Sequence, residues 1–322
     1  MRRPRLRALV LLVALGAGLG LAGGTTYAAF FATTSNPGNS FTAKADWTPP
    51  SAAGSVIMRN GGSVPGYIRQ GGTYFVYASV TDGGNPPSGV SSVTANVTNI
   101  TTGQTAVPLT TAACPCVVGG VTYNYRSASL TASNPLAAGT KTYTLTMTDA
   151  GGNSATQSGF IATVDNTAPS GSDIQTANKV FVAGHAETGD TITYTFSETI
   201  DPSSVMAGWD GTATSVTLRL TNNAGGDRVT VFNGATQLNL GTVNLGRTDY
   251  TTGTVNFTGS TMVQSGAVIT ITLGTPDQPS RLRTAAGNGT MTWTPSASAL
   301  DPAGNACSTA SRTESGPADP EF

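Results

Sequence analysis

The sequence offers few groups that could carry out acid–base or nucleophilic chemistry. His185 is the only histidine, and no HExxH, GxSxG or Walker-type motif accompanies it. A serine triad or a zinc site would have to use this one imidazole. Glu198 and Asp201 resemble a glycosidase pair, but Asp201 precedes Pro202, which favours a strand that ends in a turn. We therefore expect no enzymatic activity.

Oxygen donors near predicted strand ends suggest a different kind of site. Asp149 and Asn153 bracket the turn D-A-G-G-N, and Asp165 follows the next strand. If these side chains converge where two domains meet, they could bind calcium, which takes about six to eight oxygen ligands. The alternative is that they cap tight turns through their own backbones. The sequence thus predicts no cofactor, with a structural calcium at Asp149, Asn153 and Asp165 as the one candidate.

The three cysteines form one close pair and one distant residue. Cys114 and Cys116 flank Pro115, and Cys307 lies far along the chain. A disulfide between Cys114 and Cys116 closes a very small ring, which restricts its geometry, yet it is the first expectation for a secreted chain. The second is a bridge from Cys307 to another domain or chain, and the third is a redox-active thiol pair.

Tryptophan is the remaining candidate for ligand contact. Of Trp47, Trp209 and Trp293, the last has the alternation of a buried strand, whereas Trp209 lies in a predicted loop. An exposed indole can stack on a sugar ring. Trp209 is therefore the candidate ligand residue.

The N-terminus has the pattern of a secretory signal peptide. Four arginines precede an apolar run from Ala8 to about Ala22, shorter than the roughly twenty residues that a spanning helix needs. Small residues favour cleavage between Ala28 and Ala29, so residues 1–28 form the predicted signal peptide and signal peptidase its export partner. An uncleaved anchor is the alternative. We expect a secreted, extracellular protein whose mature chain has no membrane span.

The charge of the mature chain argues against nucleic acid as a partner. The chain has 16 basic and 17 acidic residues, and residues 1–28 hold four of the basic and none of the acidic ones. The mature chain therefore has 12 basic and 17 acidic residues. Phosphate binding needs a basic surface, so we expect no nucleic-acid partner.

Alternation of apolar and polar residues predicts β-strands throughout the mature chain. Residues 142–148 and 191–196 place threonines between apolar residues, and 216–220 and 269–273 have the same period. A period of two is typical of a strand with one face buried. Threonine suits the outward face of such a sheet, because it is β-branched and its hydroxyl tolerates water. We predict an all-β chain.

Turn and linker residues divide this chain into two predicted β-sandwich domains. Residues 49–168 form the first and residues 169–312 the second, each with the strand spacing of an antiparallel sandwich. Residues 29–48 form an extended N-terminal segment, a possible donor strand, and residues 313–322 form a polar tail.

Four short segments resemble those of tandem bacterial Ig-like domains. The turns D-A-G-G-N (149–153) and D-P-A-G-N (301–305) lie near the domain ends, D-N-T-A-P (165–169) links the domains, and S-G-V-S-S-V spans 88–93. The resemblance covers nearly all of residues 50–310. It implies two tandem Ig-like antiparallel β-sandwiches and says nothing about a ligand. The second domain is long for this family, so we expect the region 222–265 to contain an inserted hairpin.

A second resemblance concerns about residues 20–46. The stretch G-G-T-T-Y-A-A-F-F (23–31), followed by N-S-F-T-A (39–43), is similar to the N-termini of TasA and camelysin precursors. It implies cleavage by a dedicated signal peptidase between Ala28 and Ala29. It does not extend into the TasA fold, so it is compatible with fibre formation but does not imply it.

Two functions follow as expectations. In the first, the protein is a structural or adhesive component of a bacterial cell surface or biofilm matrix, and residues 29–46 complete the sheet edge of another copy. The segment could equally pack on its own first domain. In the second, the Ig-like domains act as a monomeric adhesin module that binds surface glycan or protein through its loops.

Overall fold

The computed structural model describes residues 44–112, 114–179 and 182–322. Regular structure in these residues is almost entirely β-strand, arranged in one sheet of nine strands, one of eleven and a separate two-stranded hairpin. The prediction of an all-β fold with two large antiparallel sheets is confirmed. The predicted boundary after residue 168 falls in the connection between the two sheets.

The first sheet curls around one core. Its strand order is β1-β3-β8-β5-β4-β10-β11-β2, with β9 on β3, and only the β2–β11 pair is parallel. The strands β1 and β2 at its two ends contact each other. In chain order, the strands of this sheet and of the separate β6–β7 hairpin are β1 (Ser51–Arg59), β2 (Tyr67–Ile68), β3 (Thr73–Thr81), β4 (Val90–Asn96), β5 (Val107–Thr110), β6 (Cys116–Val118), β7 (Val121–Tyr123), β8 (Tyr125–Ser127), β9 (Leu130–Thr131), β10 (Gly139–Asp149) and β11 (Ser154–Val164).

Alternation decides which side chains of this sheet are buried. On β10, Tyr143, Leu145 and Met147 are at most 2 % exposed, and the threonines between them face outward. Tyr143 stacks on Phe160 of the neighbouring strand at 5.5 Å between ring centroids. Each fully buried side chain of this size contributes roughly 1.5–3 kcal/mol. The hairpin of β6 and β7 covers a smaller cluster on the face of β3.

The second sheet also buries alternate side chains of its strands, and its core includes larger ones. Its order is β12-β13-β19-β18-β14-β15-β17-β21-β22, with β16 on β15 and β20 on β18. It contains β12 (Gly171–Ala177), β13 (Thr191–Phe196), β14 (Thr214–Thr221), β15 (Arg228–Asn233), β16 (Thr236–Gln237), β17 (Thr242–Asn244), β18 (Val255–Ser265), β19 (Val268–Thr272), β20 (Thr275–Pro276), β21 (Thr292–Thr294) and β22 (Arg312–Thr313). A four-residue helix, α1 (Pro202–Val205), and a 3₁₀ turn (Pro279–Arg281) interrupt it. The β15–β16 hairpin lies in the stretch for which an inserted hairpin is predicted.

Trp293 is the centre of the second core. Its indole is fully buried, and the rings of Tyr194 and Phe196 meet it edge-on at 5.3 and 4.9 Å between centroids. The indole N–H donates to the Leu240 carbonyl at 2.7 Å. Burying the ring therefore leaves no unpaired donor.

The C-terminal residues 313–322 are not a free polar tail. Phe322 is only 2 % exposed and Glu321 is fully buried. The Phe322 ring meets Tyr250 edge-on at 6.5 Å, and the Phe322 carbonyl accepts the Gly184 N–H at 2.7 Å. The segment predicted as a polar tail thus ends in the core, and composition alone does not show that one aromatic residue anchors it there.

A buried ion pair connects the two sheets. Arg59, at the end of β1, donates to the fully buried Asp201 carboxylate at 2.5 Å and to the Pro302 carbonyl at 3.2 Å. Ser63 donates to Asp201 through both its backbone N–H and its hydroxyl. Asp201 also caps α1 by accepting the Ser203 N–H at 3.0 Å. The one carboxylate thus fixes the start of a helix and the contact between the sheets.

We expect Arg59→Met to destabilise the protein by roughly 3–5 kcal/mol, because Asp201 would keep a buried charge without its cation. Guanidinium unfolding measures the change. Arg69→Met at the same edge is the control and should change stability little. Equal small losses for both variants would show that the Arg59–Asp201 pair contributes nothing specific.

Candidate functional site

Two acidic sites of matching construction are the most distinctive polar features of the described residues. In each, three carboxylate oxygens lie within 4.8 Å of one another, and an asparagine completes the group. We name them joint 1 (Asp46, Asp82, Asp149 and Asn153) and joint 2 (Asp165, Glu198, Asp301 and Asn305).

Joint 2 is organised by the D-P-A-G-N turn. The backbone N–H of Asn305 donates to Asp301 Oδ1 at 2.7 Å, and its side-chain Nδ2 donates to Asp301 Oδ2 at 2.7 Å. The same Nδ2 donates to the Asp165 carbonyl at 2.9 Å. Because Asp165 begins the connection to the second sheet, this amide ties the linker to the far end of the domain that follows.

Joint 1 repeats these bonds atom for atom. The N–H of Asn153 donates to Asp149 Oδ1 at 2.7 Å, and its Nδ2 donates to Asp149 Oδ2 at 2.6 Å and to the Asp46 carbonyl at 3.1 Å. Equal geometry at two places in one chain indicates that the two sheets begin in the same way.

The linkers before the two sheets also match. Each has the pattern D-x-T-x-P, in residues 46–50 and 165–169. Asp46 Oδ1 accepts the Thr48 N–H at 2.9 Å, and Asp165 Oδ1 accepts the Thr167 N–H at 2.9 Å. The third carboxylates also correspond, since Asp82 follows β3 and Glu198 lies just after β13.

The predicted calcium ligands do not converge on one point. Asp149 and Asn153 belong to joint 1, whereas Asp165 belongs to joint 2. Asn153 precedes β11 and Asp165 follows it, so the length of that strand, about 3.3 Å per residue, lies between them. The prediction of a shared site is wrong. It placed the turn of residues 149–153 at the junction after the first domain, whereas this turn lies beside Asp46 at the start of that domain.

Five members of the two joints were not among the predicted cation ligands. They are Asp46, Asp82, Glu198, Asp301 and Asn305. The repeated D-x-T-x-P pattern was a usable signal for Asp46, since it aligns the two linkers. The match between Asp82 and Glu198 depends on strand register, with Ser51 opposite Thr81 and Gly171 opposite Phe196, and register is not visible in the sequence.

Like charges shape the electrostatics of the joints. Burial, together with the nearby negative charges of Asp165 and Asp301, raises the pKa of Glu198 to about 7. Burial also raises the pKa of Asp301. In joint 1, the backbone N–H groups of Thr48 and Ser88 lower the pKa of Asp46. Joint 2 therefore holds excess negative charge with less compensation.

The two joints differ in the cation that the chain itself supplies. In joint 1, Lys44 Nζ donates to Asn153 Oδ1 at 2.5 Å and lies 5.6 Å from the centre of the Trp47 ring. In joint 2, the equivalent amide belongs to Asn305. The donors of joint 2 are all oxygens of the kind that calcium prefers, so the residues fit the predicted cation. Calcium binding stays a prediction.

Trp209 does not offer a stacking surface. The side chain is 4 % exposed, and its indole N–H donates to the Thr212 carbonyl at 2.7 Å. The prediction of a ligand-binding Trp209 is therefore corrected. The turn after α1 directs the ring into the second core, whereas Trp47 is 71 % exposed.

The cysteines form one disulfide. Cys114 and Cys116 are bonded, with Cα atoms 4.5 Å apart. Cys307 is a buried free thiol, and burial raises its pKa to about 11, with a smaller contribution from Glu198. A thiol with so high a pKa is a poor nucleophile at neutral pH. The alternative bridge through Cys307 does not form within this chain.

Some predictions concern residues outside the described part of the chain. The cleavage site at Ala28 and Ala29, and residues 29–43 of the predicted donor strand, belong to this group. Within the described part, no helix has the length and apolar character needed to cross a bilayer. The expectation that the protein is not an enzyme stays a prediction.

Comparison with known proteins gives no match for this chain. No protein-family model, curated protein or solved structure matches it. The class of the protein is therefore defined by its own architecture, as an all-β protein with two large barrel- or sandwich-like sheets.

In chelator-treated buffer, we expect the stability conferred by Glu198 to be present below its ordinary pKa of 4.5 and lost as pH rises through about 7. The folded-state pKa lies above the unfolded one, so the folded protein binds the proton more tightly. The group is partly solvated, which limits the loss to about 1 kcal/mol. Glu198→Gln should remove this part of the slope between about pH 5 and pH 8, measured by urea unfolding. Identical slopes in both proteins would contradict the assignment.

If calcium binds joint 2, isothermal titration at neutral pH should detect a site with a Kd of about 0.1–1 mM. Glu198→Gln should abolish that site, whereas Asp82→Asn in joint 1 should leave it unchanged. Because Lys44 already supplies a cation to joint 1, we expect no comparable binding there. Retention of all binding by Glu198→Gln would exclude joint 2.

Proposed function

We propose that this protein is a secreted structural or adhesive component of a bacterial cell surface or extracellular matrix. The observation that carries the proposal is the repeated joint, which starts both sheets with the same hydrogen bonds. A repeated connection of this kind suits proteins that hold domains in a row at fixed spacing. The N-terminal export pattern and the resemblance to TasA-type precursors support the location.

The contact between the sheets supports a load-bearing role. Asn166, inside the second D-x-T-x-P linker, accepts the Gln70 N–H at 2.8 Å and donates to the Leu136 carbonyl at 2.8 Å. With the Arg59–Asp201 pair, these bonds fix the linker against the first sheet. A linker so held does not act as a flexible tether.

Trp47 supports assembly through the start of the first sheet. It occupies the position in its linker that Asn166 occupies in the second one. Asn166 contacts the preceding sheet, whereas Trp47 is 71 % exposed. A large exposed aromatic beside an ordered joint is typical of an interaction surface. We propose that another copy of the chain covers it.

A monomeric adhesin is the second candidate. It is favoured by the β6–β7 hairpin, where Val117 and Val121 are 71 % and 52 % exposed and the Cys114–Cys116 disulfide closes the base. An ordered hairpin with apolar side chains could contact surface glycan or protein. In this case the two sheets would display the hairpin, and self-association would play no part.

We expect the mature chain 29–322 to form oligomers or fibres. Trp47→Asn should raise the protein concentration needed for assembly at least tenfold, which corresponds to about 1.4 kcal/mol or more. Asparagine is the residue that the second linker already carries at this position, so the fold should tolerate it. Light scattering on a sizing column and negative-stain microscopy give the measurement.

Val117→Asn is the matched control, because Val117 is equally exposed but lies on the hairpin. A truncation to 44–322 keeps Lys44 and Asp46 in joint 1 and tests the contribution of residues 29–43. If Val117→Asn reduces assembly and Trp47→Asn does not, the hairpin is the interface. Monomers throughout a wide concentration range would overturn the structural role, and a glycan-binding screen would then test the adhesin.

A further inference from the structure

A third acidic cluster lies away from both joints, where the C-terminal segment packs on the second sheet. It consists of Glu314, Asp319 and Glu321, and one carboxylate oxygen from each lies within 4.8 Å of the others. Neither the D-x-T-x-P linkers nor the Asp–Asn turns contribute to it. Its residues come from a single stretch of ten residues at the end of the sequence, so it is not a third copy of the joint.

Glu321 is the member of this cluster that points to a ligand. The residue is fully buried, and its Oε1 atom has no hydrogen-bond partner. Its other oxygen, Oε2, accepts the Thr176 hydroxyl at 2.7 Å. A buried carboxylate oxygen without a donor is costly, because its desolvation is not repaid. A group that accepts electron pairs would satisfy it.

The negative charges around Glu321 increase its need for a positively charged partner. The charges that act most strongly on Glu321 are those of Glu314 and Asp319, both acidic. Glu314 in turn faces Asp173 and Asp319. Glu314 Oε1 accepts the Met291 N–H at 2.9 Å, which orients its carboxylate without neutralising it. Three ionised carboxylates this close repel one another, so the cluster needs either a proton shared between the Glu314 and Glu321 carboxyl groups or a cation among the three.

The backbone around the cluster is already ordered. The N–H of Glu321 donates to the Tyr250 hydroxyl at 2.8 Å, and the N–H of Phe322 donates to the Thr176 hydroxyl at 3.2 Å. The Asp319 carbonyl accepts the Gly289 N–H at 2.8 Å. The carboxylates therefore project from fixed positions, so a cation would find its ligands in place. Asp319 is exposed, which leaves a path from solvent.

We propose that Glu314, Asp319 and Glu321 bind a divalent, oxygen-preferring cation of the calcium type, and that this ion fastens the C-terminal segment to the second sheet. Three carboxylates supply part of the coordination shell, and water completes it on the side of Asp319. Calcium tolerates irregular shells of about six to eight oxygens, whereas magnesium demands a near-octahedral one. The inference does not depend on the function proposed above.

Calcium titration at about pH 8 tests the site. The background protein is the Asp82→Asn, Glu198→Gln double variant, in which the carboxylate sets of joints 1 and 2 are incomplete. It should bind one calcium ion, and adding Asp319→Asn should remove that binding. Asp319 is exposed and its backbone carbonyl makes the bond to Gly289, so this variant should fold normally. Glu321→Gln should also lose the ion.

Hydrogen exchange provides a readout at the segment itself. At a calcium concentration of ten times the Kd, the amides of Glu321 and Phe322 should exchange about tenfold more slowly than without calcium. Asp319→Asn should abolish this change. Terbium luminescence sensitised by Tyr250 gives a second, optical signal of an ion beside Glu321.

Three results would overturn the proposal. One is calcium binding by the background protein that Asp319→Asn and Glu321→Gln both leave unchanged. The second is an equal response to magnesium, which would contradict the calcium-type assignment. The third is no binding together with a stabilised Glu321→Gln variant, which would show that a proton alone satisfies the cluster.

Discussion

Buried aspartate carboxylates that accept backbone N–H groups are the interaction on which the rest of this structure depends. A chain with short strands and long connections must satisfy many backbone donors outside its sheets. Asp190, Asp201, Asp227 and Asp301 are each fully buried, and each accepts N–H groups from the turns around it. Charged acceptors form stronger bonds than neutral ones, so a few aspartates hold loops that contribute little apolar surface.

The same interaction explains why the connection between the sheets is ordered. Asp201 satisfies a helix start and a loop of the first sheet at once, and Asp301 holds the turn whose asparagine reaches back to the linker. Removing the Asp201 carboxylate would free donors on both sides of the contact, from Arg59 and Ser63 on one side and from Ser203 on the other. The stability of the contact therefore rests on a small polar network as much as on buried apolar area.

The strands could be predicted from the sequence because one physical rule, a buried face every second residue, acts locally. Residues 142–148 follow it closely, with Tyr143 buried and its neighbouring threonines outward. Trp209 was misplaced because its burial depends on a turn after α1, which brings it over a distant core. Phe322 was missed for the same reason, and the pairing of Asp82 with Glu198 follows from strand register, which long-range contacts determine.

The difference between Trp47 and Asn166 makes the two linkers unequal, so the molecule would present different surfaces at its two ends. A residue that faces outward at the start of the first sheet has, in the second linker, a counterpart already engaged with its neighbour. A contact made through Trp47 would join unlike surfaces of two copies. Such heterologous contacts either close into a ring or continue without limit. If they continue, the concentration of the protein, and not its symmetry, determines how long the polymer grows.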